Sequence, residues 1–178
     1  LADQLRDAHF FFLSDPIWTI EQIRPLVTID QELLLLALRN IVENAFEHGF
    51  EEGAPGNSIV FYLSCITDED AATWVAIDAF NNGKPFPEDF SLEKYTQFGG
   101  RQGKSKGTGI GGFLVKRIVA NHEGQLRMMT TRDIAHAITN IVASVEMPGI
   151  PLQAGDRPFL VGLRILLPYH LQENEQLD

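Results

Sequence analysis

The chain has 178 residues, 44% of them hydrophobic and 21% charged, with a formal net charge of -10. That length and balance fit one soluble globular domain spanning 1–178 with a sizeable core, and the acidity argues against a nucleic-acid backbone as partner, which would call for clustered Lys and Arg. The longest apolar runs, HFFFL (9–13) and LLLLAL (33–38), are too short to cross a bilayer; no signal-peptide pattern opens the chain, and the lone Cys65 rules out an internal disulfide and fits a reducing, cytoplasmic setting.

Residues 1–17, opening LADQLRDA, are expected to hold the end of an upstream helix. WTIEQIRPLVTI (18–29) carries strand-like β-branched residues, broken by Pro25. Asp30 is a good N-cap for QELLLLALRNIVENAFEH, which predicts one long helix ending at Gly49. After the loop GFEEGAPGNS come IVFYLSCI (59–66) and TWVAIDAF (73–80), two strands of a hairpin joined by the acidic turn TDEDAA. NNGKPFPEDF (81–90) is a turn. Residues 88–111 have little periodicity and much Gly, Lys and Ser, which predicts a long loop with one short helical turn. GFLVKRIVANH (112–122) reads as a short helix with Leu114, Val115, Ile118 and Val119 on one face. QLRMMTT (125–131) reads as a strand. DIAHAITNIVASV, inside 132–158, fits helix or strand. FLVGLRILLP (159–168) is a closing strand, and LQENEQLD a frayed tail. This order predicts an α+β protein: a two-layer α/β sandwich whose mixed, mostly antiparallel sheet carries its helices on one face.

Three stretches carry candidate chemistry. Asn40, Asn44 and His48 are four apart and share one helical stripe beside an apolar face. Taken alone they fit the solvent side of an amphipathic helix; the functional alternative is that the Asn44 carbonyl oxygen binds Mg²⁺, an ion that prefers oxygen ligands. IDAFNNGKPFP ends a strand in Asn81-Asn82-Gly83. This is a plain turn, with Gly83 allowing positive φ, or a place where the Asn81 carboxamide meets a base. GTGIGGFLVKRIV places glycines at 107, 109 and 111 before a helix, where backbone N–H groups can approach phosphate. No strand precedes it, so it is no Rossmann fingerprint, and the spacing around Gly103-Lys104-Ser105 fails the P-loop pattern.

The charge is uneven. GGRQGKSKGTGIGG (99–112) has seven glycines, three basic residues and no acid, and no Asp or Glu occurs from Lys94 to His122. That is a solvated basic face or a site for a small polyanion. Five scattered His and one Cys give no metal-ligand spacing.

The order of these parts decides between the readings. VENAFEHG resembles the N box, NNGKPFP the first glycine box, YTQF (95–98) the aromatic F box and GTGIGGFLVKRIVANHEGQL the second glycine box of histidine kinases. The chain thus resembles the ATP-binding domain shared by gyrase, histidine kinases and MutL (the GHKL superfamily, Bergerat fold), closest to histidine kinase catalytic domains. The resemblance covers roughly 28–131, with the strand ending at 166–168 matching the family's last strand.

It implies a domain that binds ATP with Mg²⁺ and passes the γ-phosphate to a histidine outside this segment. Asn40, Asn44 and His48 would be the catalytic residues, with Asn44 the Mg²⁺ ligand. Asn81 and Gly83 would lie at the base. Phe98, Thr108 and Ile110 would contribute to nucleotide binding, Gly107, Gly109 and Gly111 would cradle the phosphates, and Lys104 or Lys106 would reach the terminal phosphates from a lid. Partners would be a phospho-accepting histidine domain or protein and a downstream response regulator, as in a two-component system, with dimerisation through segments outside this chain.

Several positions depart from the family pattern. Asn81 stands where Asp is usual, Pro85 replaces a glycine of the first box, and Gly112 stands where Leu is usual. Residues 132–158 form an insertion. Hydrolysing branches place a Glu base four residues before the Mg²⁺ Asn; here that residue is Asn40, which cannot take a proton from water. Glu43 and Glu47 are expected off the Asn40/Asn44 stripe, the alternative being a rotated helix in which either serves as the base for hydrolysis. His122-Glu123 resembles an acceptor dipeptide but is expected to be structural; His9, His136 and His170 lack supporting context. The alternatives are a nucleotide-gated interaction module and an anti-sigma-like Ser kinase or ATPase of the same superfamily.

Overall fold

The computed structural model describes residues 8–14, 27–51, 54–99, 109–144 and 158–169. In chain order the elements are β1 (Ala8–Ser14), α1 (Gln31–Asn44) continuing as a π-helical turn (Ala45–Gly49), β2 (Asn57–Thr67), β3 (Thr73–Asn81), α2 (Leu92–Tyr95), α3 (Gly111–Asn121), β4 (Gln125–Met128), α4 (Thr131–Ser144) and β5 (Val161–Pro168). The five strands form one sheet in the order β1-β2-β3-β5-β4. Among the described residues only the β1–β2 pair is parallel, so the sheet is mixed and mostly antiparallel.

Strand alternation divides the core in two. Ile59, Phe61, Ala79, Leu163 and Ile165 pack against Ala37, Ile41 and Ala45 of α1 and Val115, Ile118 and Val119 of α3. Their neighbours Val60, Tyr62 and Phe80 point the other way and meet Ile134, Ala137 and Ile141 of α4, with Phe159 edge-on to Phe80 at 5.4 Å. The α+β sandwich therefore holds, but the expected placement of every helix on one face does not extend to α4. Its apolar stripe at 134, 137 and 141 has helical spacing and needs a partner, and the sheet's second face supplies it.

The other differences have local causes. Residues 8–14 form an edge strand rather than the end of an upstream helix. Consecutive aromatics favour extended chain, and Phe10 joins one core cluster while Phe11 and Leu13 join the other. Residues 1–7 and 15–17 of that expected helix lie outside the described residues, as does 18–26 of the strand-like stretch; Val27–Ile29 are not in a strand. The segment 131–144 resolves to helix: the Thr130 hydroxyl accepts from Asp133 N at 3.2 Å, and the Asp133 carboxylate accepts from Thr130 N at 2.8 Å, a capping box.

Two contacts fix the pair of helices that carries the site. The Asp30 side chain caps α1, accepting from Leu33 N at 3.0 Å. The Asp30 N–H donates to His122 Nε2 at 2.9 Å, while His122 Nδ1–H donates to Ile118 O at 2.8 Å. His122 thus clips the start of α1 to the end of α3, the structural role expected of it.

Candidate nucleotide site

At the C-terminal end of α1 lies a cavity of about 630 Å³. Its wall takes in Asn40, Asn44 and His48 from α1 and the π turn, Asn81 from the end of β3, and Gly109 and Gly111 at the start of α3. The three stretches that the sequence offers separately meet in one space.

The π turn explains part of this geometry. The Phe50 N–H bonds to Ala45 O at 2.8 Å, five residues back. The wider turn changes the phase of the helix just after Asn44, a feature common at functional sites. Both Glu43 and Glu47 border the cavity, where straight helical spacing puts them off the stripe. Glu43 accepts from Arg39 Nε at 2.8 Å, and Glu47 Oε2 lies 3.7 Å from His48 Nε2.

The two carboxamides of α1 have assigned partners on one end. Asn40 Nδ2 donates to Leu36 O at 2.8 Å, and Asn44 Nδ2 donates to the Tyr95 hydroxyl at 2.9 Å. Their oxygens face the second glycine box: a Cβ added at Gly111 would stand 3.1 Å from Asn40 Oδ1 and 3.4 Å from Asn44 Oδ1. This cradle, two amide oxygens beside backbone at a helix N-terminus, fits a magnesium-bound polyphosphate. The oxygens suit a hard cation, and the N–H groups opening α3 suit phosphate.

At the other end, Asn81 is buried and its Oδ1 accepts from Gly83 N at 2.9 Å. Gly83 does not take positive φ, and it is not part of the cavity wall. Its missing side chain answers to crowding instead. A Cβ there would lie 2.8 Å from the Gly49 carbonyl, and Lys84 N bonds to that same oxygen at 2.8 Å. The departure at Pro85 falls on an apolar wall: Pro85, Phe86, Pro87 and Phe90 line the cavity, with Phe86 and Phe90 stacked at 4.9 Å.

Of the remaining expected residues, Gly109 lines the cavity with φ 69°, a conformation suited to glycine. Its carbonyl accepts from Gly99 N at 3.0 Å, closing the base of the basic segment. Ile110 is the N-cap residue of α3 and lies outside the wall. Phe98 is 66% exposed, outside the wall, and packs edge-on against Phe113 at 5.1 Å. Lys104, Lys106, Gly107 and Thr108 lie outside the described residues.

Sequence reasoning gave no individual role to four wall residues with polar chemistry: Lys84, Lys94, Tyr95 and Gln97. Lys84 Nζ is 3.2 Å from Glu51 Oε1, and Lys94 bonds to Asp89, whose carboxyl it holds below the usual carboxylate range. Burial of the Tyr95 hydroxyl pushes its pKa up to about 12, against the opposing effect of the Asn44 hydrogen bond. The cation pattern NNGK was a legible signal for Lys84. Nothing in sequence announces that Tyr95 reaches back 51 residues to Asn44.

The chain belongs to the family described as histidine kinase-, DNA gyrase B- and HSP90-like ATPases, which matches residues 29–153. Among solved structures it is similar to the mycobacterial sensor histidine kinase MprB, with 19% identity and a TM-score of 0.58 over 95% of this chain and 89% of that one. It is also similar to the catalytic domain of the histidine kinase ThkA, with 18% identity and a TM-score of 0.57 over 94% and 84% of the two chains. A third is ShkA, solved full-length in complex with AMPPNP: 15% identity and a TM-score of 0.52 over 93% of this chain and 26% of that one. At these identities the likeness is one of fold. Comparison with curated proteins finds no match. Among the described residues no helix is long and apolar enough to cross a membrane.

Proposed function

We propose that this chain is the ATP-binding catalytic domain of a sensor histidine kinase-like protein, acting in the cytoplasm. It binds ATP with Mg²⁺ and transfers the γ-phosphate to a histidine outside these residues. One observation carries the reading: Asn44, Asn81, Gly109 and Gly111 line a single cavity. The fold shared with two histidine kinases supports it, and ShkA, of similar fold, was solved with AMPPNP.

In this reading Asn44 Oδ1 and Asn40 Oδ1 face the phosphates, with Asn44 the metal ligand, and His48 stands near them. The N–H groups opening α3 hold phosphate oxygens, and Lys104 or Lys106 closes over the terminal phosphate from the lid. Thr108 joins the phosphate-binding turn. Asn81 and the Phe86–Phe90 wall receive the base. Bound magnesium would neutralise phosphate charge and fix its orientation. Asn40 offers no base, so the acceptor imidazole supplies its own nucleophilic nitrogen: an N–P bond forms as the β–γ bridging P–O bond breaks, and ADP leaves. The phospho-accepting domain, and a response regulator after it, are the partners. Asn44→Ala should abolish Mg²⁺-dependent ATP binding with the fold retained, and a longer chain bearing the acceptor should form an acid-labile phosphoprotein from labelled ATP. Unchanged MgATP affinity in Asn44→Ala refutes the assignment of the helix.

The position of Glu43 and Glu47 on the cavity wall favours a second reading, ATP hydrolysis with one of these carboxylates as base. Steady-state phosphate release by the isolated chain, lost in Glu47→Gln or Glu43→Gln, would select it.

A further inference from the structure

A carboxamide is nearly symmetric in shape but not in chemistry: its oxygen can bind a cation and its NH₂ cannot. Something must decide which end of Asn44 faces the cavity. The structure places a single described partner on the nitrogen, the Tyr95 hydroxyl at 2.9 Å. On the other side Asn44 meets the start of α3, where a Cβ added at Gly111 would stand 3.4 Å from Asn44 Oδ1.

Tyr95 is held for this purpose from three directions. It ends α2, whose N-cap Ser91 accepts from Lys94 N. Its ring meets Phe86 edge-on at 6.4 Å. Its backbone rests on α3 at Gly112, where an added Cβ would fall 2.0 Å from the Tyr95 carbonyl oxygen. No larger residue fits at 112 with Tyr95 in this place. The departure from the family's Leu is therefore matched to the seating of Tyr95.

Resting on the reading of Asn44 as the metal ligand, we propose that Tyr95 is the positioning residue of the site. Its phenol oxygen, seated through Gly112, accepts the Asn44 Nδ2 hydrogen and so presents Asn44 Oδ1 to the magnesium-bound phosphates.

The test uses the 178-residue chain and its Tyr95→Phe variant. Calorimetry measures ATP affinity with Mg²⁺ and with EDTA, and ¹H–¹⁵N NMR follows the Asn44 side-chain amide. In Tyr95→Phe the MgATP affinity falls about tenfold, while affinity in EDTA stays within twofold, and the Asn44 NH₂ resonances shift. A purely structural role weakens both affinities alike, and that result overturns the proposal. So does unchanged MgATP affinity. If the wild-type chain binds ATP in neither condition, the functional reading fails and takes this inference with it. Binding by wild type that Tyr95→Phe leaves intact sinks the inference alone. Should the variant fold poorly, wild type suffices: Asn44 side-chain amide protons that exchange as fast as those of an exposed Asn contradict the hydrogen bond.

Discussion

Gly111→Ala should leave the fold standing and damage the site. As the first residue of α3, Gly111 gains helix propensity on acquiring a methyl, at most about 1 kcal/mol. The methyl carbon would lie 3.1 Å from Asn40 Oδ1 and 3.4 Å from Asn44 Oδ1, so the Asn40 carboxamide must yield by a few tenths of an ångström. Asn40 is not free to swing, because its Nδ2 is bonded to Leu36 O at 2.8 Å. Losing that bond costs about 1 kcal/mol. The two effects oppose each other, and net stability should stay within about 1 kcal/mol of wild type. The methyl, however, stands in the cradle between both amide oxygens and the phosphate-binding backbone. Displacing the phosphates should cost about 10- to 100-fold in MgATP affinity, or roughly 1.4 to 2.8 kcal/mol. Urea denaturation reads the first quantity and calorimetric titration the second. A normal fold with MgATP affinity within twofold of wild type refutes the placement of the phosphates over Gly111.

Three further outcomes are expected. Asp78 is 1% exposed and paired with Arg164 through bonds of 2.6 and 2.7 Å. Arg164→Met should cost about 3–5 kcal/mol in urea denaturation by stranding a buried carboxylate, whereas Asp78→Leu with Arg164→Met should return near wild-type stability. Burial raises the Tyr95 pKa from 10.0 to about 12, so the stability it confers is complete below pH 10 and is lost as pH rises through 12. That loss amounts to about 3 kcal/mol and should be missing from Tyr95→Phe in denaturation curves across this window. Glu123, just past the end of α3, has φ 55°; Glu123→Gly should stabilise by about 1 kcal/mol and raise Tm by about 2–4 °C in a thermal melt.

The fold was legible where period and punctuation agree. Asp30 and the apolar stripe of α1 define a helix, and the β-branched runs around TDEDAA define a hairpin whose register runs from Ile59↔Asn81 to Thr67↔Thr73. The family was legible as an order of boxes rather than from any one residue. What stayed hidden is tertiary. The π turn is an extra backbone setting within an unbroken helical pattern, so Glu47, which lies in it, was expected off the stripe, whereas Glu43 borders the same cavity from the regular helix before it. Gly83 looks like a turn glycine, and only its contact with Gly49 shows why it is small. Gly112 looks like a lost apolar contact until Tyr95 is seen above it. The aromatic run at 10–12 has no strict alternation, so nothing in it names which sheet edge it joins.

The two faces of β3 divide the work of the molecule. Ala79 and Asn81 face α1, α3 and the cavity, while Asp78 and Phe80 face α4. A one-residue slip of this strand would exchange the two sets and carry Asn81 out of the site. Hydrophobic residues resist such a slip weakly here, because both faces are apolar and Ala79 and Phe80 are each buried. The ion pair resists it strongly. Asp78 lies directly across from Arg164 in the β3–β5 ladder, and any shifted register buries one charge away from the other. Helix α4 contributes by covering this face and by placing Asp133 near the Arg164 guanidinium, which the Asp78 hydrogen bonds hold charged. The register that brings Asn81 to the cavity wall is thus secured from the opposite side of the sheet.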